Sequence, residues 1–161
     1  MSNSVVLMRQ HRDCLVAVLG TILGVTWEKA AKLLWHRDLR SPLTSLLFST
    51  HWWLKWTLRS IGASFNRVEP EDLMAGRCSP MGTILLVKQN LWTQHWVVWA
   101  GLDPYGFHLV YWGDSYIPSR FTSSKLWDLL HNSWPYCCLE VTQQCKTTAN
   151  ITRTMSPELG G

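Results

Sequence analysis

The sequence predicts an α+β fold, with helices first and a mostly antiparallel sheet after them. Three observations carry that reading. Apolar residues recur at helical spacing as far as Gly62, and from Ala63 onward they form short runs rich in valine and aromatics. Two of those runs flank Gly101-Leu-Asp-Pro-Tyr-Gly106, a cluster of turn formers suited to a hairpin. Segregation of helices from strands along the chain is the pattern of α+β domains rather than of alternating βαβ units.

The elements follow in order. Cys14-Leu-Val-Ala-Val-Leu-Gly-Thr-Ile-Leu23 is almost wholly apolar, with Leu15, Val18, Leu19 and Ile22 at helical spacing, Asp13 placed to cap it and Gly24 to stop it. A helix apolar all round is a buried helix. Thr26 caps a second helix, Trp27–Trp35, in which Ala30, Ala31, Leu33 and Leu34 alternate with Glu28, Lys29 and Lys32. Ser41-Pro42 opens a third, supported by Leu43, Leu46, Leu47, Trp53, Leu54 and Leu58 and closed by Gly62. The aromatic cluster His51-Trp-Trp-Leu-Lys-Trp56 reads as helix packing on a sheet, because a single cation interleaves it. Residues 63–68, 83–88, 95–100 and 107–112 read as strands, with a short helical turn near Glu71–Ala75. Ser123–Ser133 reads as the last helix and Tyr136–Thr142 as the last strand. Residues 1–142 thus form one domain, and 143–161, with four threonines and no aromatic, read as a tail.

Composition narrows the class. Of 161 residues 47% are hydrophobic and 16% charged, against roughly 25% charged in an average domain, which excludes a disordered chain. Eleven tryptophans are too many for a surface, so several build a core. The net charge of +4 is spread along the chain, so no specific nucleic-acid partner is expected. No apolar stretch reaches the ~20 residues of a membrane span, and residues 1–8 lack a signal core. Five cysteines without a disulfide rhythm favour a reducing compartment, so a cytoplasmic location is the expectation. Cys137, Cys138 and Cys145 lack metal-ligand spacing, and no phosphate loop or dinucleotide fingerprint is present.

The chemistry points to a thiol. A cysteine opening a buried helix meets the free N–H groups and dipole of the first turn, which stabilise a thiolate. Cys14 holds that position. A thiolate nucleophile needs a base, and the base an orienting group. His95 begins a strand, and Asp114 follows the next strand of the same hairpin, so antiparallel pairing about residues 101–106 returns Asp114 beside His95. Taken singly, a cysteine in an apolar helix, a histidine beside tryptophan and an aspartate in a turn all have plain packing roles. Together, on those elements, they compose a Cys14–His95–Asp114 triad.

Gln10-His-Arg-Asp-Cys14-Leu-Val-Ala-Val-Leu and Gly24-Val-Thr-Trp-Glu-Lys-Ala-Ala-Lys-Leu-Leu34 resemble the opening of the papain-like bacteriocin-processing (double-glycine leader) peptidases. His95-Trp-Val-Val-Trp-Ala-Gly101 and the strand ending at Asp114 resemble the second half of that domain, so the likeness covers about residues 8–140. It departs at Leu15, where the family has glycine, at Ser115, where it has proline, and in Gln10 lying closer to the cysteine. The resembling proteins include viral and phage chains of this size. The resemblance implies Cys14 as nucleophile, His95 as base, Asp114 as its orienting residue and Gln10 with the Cys14 N–H as oxyanion hole. It implies a peptide or protein substrate, no metal and no cofactor, and cleavage after paired glycines such as Gly160-Gly161 at the end of this chain. An acyltransferase with the same triad and a non-catalytic papain-like binding or inhibitor module are the alternatives.

Overall fold

The computed structural model describes residues 4–9, 13–35, 50–88, 94–133 and 136–142. Its elements are α1 (Cys14–Leu23), α2 (Trp27–Trp35), α3 (Thr50–Ser60), β1 (Phe65–Arg67), α4 (Pro70–Met74), β2 (Thr83–Lys88), β3 (Gln94–Leu102), β4 (His108–Tyr111), β5 (Ser119–Phe121), α5 (Ser123–His131) and β6 (Cys138–Val141). The six strands form one sheet in the order β1-β6-β2-β3-β4-β5, with every neighbouring pair antiparallel.

Local chemistry accounts for the element ends. Gly24 closes α1 in the left-handed region at φ 67°, and Val25 N–H donates to the Gly20 carbonyl. Thr26 caps α2 by accepting the Lys29 N–H at 3.3 Å, and Thr122 caps α5 in the same way through Lys125. Gly62, at φ 77°, ends α3. Ser41-Pro42, the expected start of that helix, lies outside the described residues, and so does the expected tail.

Alternation along the central strands divides the interior in two. Ile84, Leu86, Trp96, Val98, Leu139 and Val141 face α1, α2 and α3. Leu85, Val87, Val97, Trp99, Val110 and Cys138 face Leu73 of α4 and Leu126 and Leu130 of α5. The sheet is therefore covered by helices on both sides, not on the N-terminal helical side alone. This explains why β2 reads Thr-Ile-Leu-Leu-Val-Lys: a strand buried on both faces needs no polar alternation. The two adjacent cysteines part accordingly, Cys137 to one core and Cys138 to the other.

Two features were not expected. β5 is a three-residue strand, Ser-Arg-Phe, with no apolar alternation to announce it. β3 also runs to Leu102 because a bulge between Trp99 and Gly101 absorbs an extra residue in its pairing with β4. No single helix among the described residues is long and apolar enough to cross a membrane; α1 and α2 reach the length only as a pair bent by 114°.

Candidate functional site

The site forms where β3 and β4 separate. Leu86 N–H donates to the Cys137 carbonyl, so Leu86 turns its main-chain groups toward β6 and its pairing with Trp96 of β3 is not hydrogen-bonded. By the geometry of antiparallel ladders, the Trp96 N–H then points toward β4. The register, Val98 opposite Tyr111, would carry Trp96 to Gly113 and His95 to Asp114. That next rung is not made. β4 ends at Tyr111, and the Gly113 carbonyl instead accepts the Met8 N–H at 2.8 Å. Cys14 packs against the core cluster that holds Trp96, and the Trp96 N–H favours the charged form of its sulfur. The strands open into a fork, with the first residue of α1 in the gap beside the start of β3.

The N-terminal segment holds the other arm of the fork. Besides Met8, Val6 N–H donates to Thr21 Oγ1 of α1 at 2.9 Å, and Arg9 pairs with Glu28 while lying 4.6 Å over the Trp27 ring. Gly113 permits this: its φ is +97°, and a Cβ there would stand 3.1 Å from Met8 Cγ. Nothing in the sequence pattern marked residues 4–9 as part of the site. The legible trace of it is the glycine just before Asp114.

Asp13 occupies the N-cap position of α1, yet its side chain does not cap the helix. Its Oδ2 accepts the Trp27 indole N–H at 2.8 Å and the Arg9 N–H at 2.9 Å. The expected cap is thus a tie between the N-terminal segment and the starts of α1 and α2. Two donors from other parts of the chain compete better for the carboxylate than the helix does.

Cys14 is partly buried. Burial pushes its thiol above the ordinary value and outweighs the lowering effect of the Trp96, Leu15 and Cys14 N–H groups, with the neighbouring Asp13 charge adding to the rise. The expected depressed pKa is therefore corrected: the helix start is present, but so is its desolvation. The remaining described thiols are also raised. Burial pushes Cys78 up to about 11 and Cys137 up to about 12, and Cys138 is raised as well.

His95 is 5% exposed, and its Nε2 donates to the Trp112 carbonyl at 2.5 Å. Its ring stacks on the Trp112 ring, centroids 4.9 Å apart and planes 24° from parallel. Asp114 is exposed, and its side chain makes no hydrogen bond or ion pair among the described residues. The structure thus brings Cys14 to the residue adjoining His95, while the expected Asp114–His95 hydrogen bond is not made. Once β4 leaves the sheet at Trp112, the carbonyl reaches the ring and the carboxylate turns outward. Gln10 lies outside the described residues.

A second histidine was missed by sequence reading. His108 is fully buried; its Nδ1 accepts the Trp99 indole N–H at 3.1 Å, and its Nε2 meets Ser123 Oγ at 3.1 Å. An indole can only donate, so the proton sits on Nε2 and the serine oxygen accepts it. The ring has no lone pair for Ser123, and the pair is a core contact rather than a nucleophile with its base. Among the described residues no three His, Cys, Asp or Glu side chains converge as a metal site. No protein-family model matches the chain, and no curated protein matches it significantly.

Proposed function

We propose that the chain is a thiol hydrolase, a papain-like cysteine peptidase of the double-glycine type, with Cys14 as nucleophile and His95 as base. The observation that supports this most is the fork: a cysteine at the start of a buried helix packs against the core that holds Trp96, the residue next to a buried histidine. In the proposed cycle Cys14 Sγ adds to the substrate carbonyl carbon as its proton passes to His95. The imidazolium returns that proton to the leaving amine as the C–N bond breaks. Water then adds to the thioester, giving its proton to His95, and the thiol leaves with that proton restored. Amide N–H groups at the start of α1 are the donors for the oxyanion. Glycines before the scissile bond suit a narrow site, because an acyl segment without side chains lies flat there.

The raised thiol and the outward-turned Asp114 favour a second reading, a papain-like module that binds without cutting. Labelling separates the two. Near neutral pH, iodoacetamide is expected to alkylate Cys14 faster than Cys78 and Cys137, because burial holds those two thiols at about 11 and about 12 and leaves them little thiolate. A fluorogenic amide whose acyl half ends Leu-Gly-Gly should be hydrolysed by the native chain and not by Cys14→Ala. Equal labelling of the thiols together with an untouched amide would leave only the binding module.

A further inference from the structure

We propose that the main-chain carbonyl of Trp112, backed by the Trp112 ring, positions the His95 imidazole in place of the Asp114 carboxylate; this rests on the hydrolase reading above. A carbonyl oxygen can only accept, so the short contact at 2.5 Å fixes the neutral ring with its hydrogen on Nε2. The lone pair then belongs to Nδ1, which makes Nδ1 the basic atom. The same residue restrains rotation, because the imidazole is buried and stacked on the indole of Trp112. Asp114 is two residues further on, past Gly113, exposed and engaged by no side-chain partner among the described residues.

The substitution has a chemical meaning. A carboxylate would stabilise the imidazolium with a full charge, whereas a carbonyl offers a dipole, and charge-assisted hydrogen bonds are roughly twice as strong as neutral ones. A dipole in place of that charge favours the imidazolium less, and so favours a thiolate–imidazolium pair less. Burial at the Cys14 thiol works in the same direction. The fork explains why a main-chain group is available: β4 has left β3, so the Trp112 carbonyl is placed to meet a side chain.

The test follows Cys14 alkylation by iodoacetamide from pH 5 to 10, alongside the ¹⁵N shifts of the His95 ring. Four chains are compared, native, Asp114→Asn, Trp112→Ala and Trp112→Phe, with folding checked by circular dichroism. Expected are an Nε2–H tautomer at neutral pH and an Asp114→Asn profile within about twofold of native. Trp112→Ala should shift the profile and slow alkylation about tenfold or more, with Trp112→Phe restoring it, against the ~10²–10⁴ that a positioned base contributes. An Nδ1–H tautomer, or a large loss in Asp114→Asn while native Cys14 still labels selectively, overturns the proposal and spares the hydrolase. Absence of selective Cys14 labelling in the native chain overturns both.

Discussion

At His108 both ring nitrogens are committed, and that commitment sets the response to acid. Nδ1 already receives the Trp99 N–H, so a proton added there would face a donor, and burial alone holds the His108 pKa below its ordinary 6.5. In the unfolded chain the same ring takes its proton near 6.5. Folding is therefore fully supported by the neutral ring above that pH, and support is lost as pH falls below it toward the depressed folded value. Urea midpoints at pH 7.5 and pH 5 should show a larger acid loss for the native chain than for His108→Gln. Equal losses would remove His108 from the account. The residue escaped sequence reading because a histidine in a four-residue strand carries no mark of its partners, which arrive from β3 and α5.

Among the elements, the short N-terminal segment is the one most exposed to a single change. Gly113→Ala would impose a side chain at φ +97° and place a Cβ 3.1 Å from Met8 Cγ. A strained left-handed residue costs about 1–3 kcal/mol. The cheapest relief is for Met8 to leave the Gly113 carbonyl. Denaturation should report a loss of that order, and amide exchange should accelerate at Met8 and Val6 before it does in β2. Unchanged exchange at those amides would mean that the segment is held by other contacts. The segment also marks how far the sequence was legible. α1, α2 and β2 were read with the bounds they have, because apolar patterning, the Thr26 cap and the Gly24 stop all agree there. The first strand shrank to Phe65–Arg67, since only three of its residues find a partner in β6. The fork was not legible at all. It arises from hydrogen bonds reassigned among Met8, Trp96, Trp112 and Gly113, and no local pattern encodes an exchange between such distant segments.

For the molecule as a whole, the sheet is the wall between two cores, and β2 stands in both. Leu85 is fully buried on the α5 side and Ile84 on the α1 side. Leu85→Ala should cost about 2–5 kcal/mol, as large-to-small changes in packed cores do. Because adjacent residues of one strand belong to opposite layers, the two layers should melt together. Tryptophan fluorescence and far-ultraviolet dichroism are expected to lose stability by the same amount in one transition; separated transitions would show the layers to be independent. The order of the strands has one more effect. The margins of the sheet are β1 and β5, three residues each, and each carries an exposed arginine, Arg67 and Arg120. Long, flat, apolar margins recruit strands from other molecules and seed fibrils, whereas short charged ones repel them. A chain this rich in tryptophan and valine thus keeps its stickiest strands, β2 and β3, away from any place where aggregation could begin.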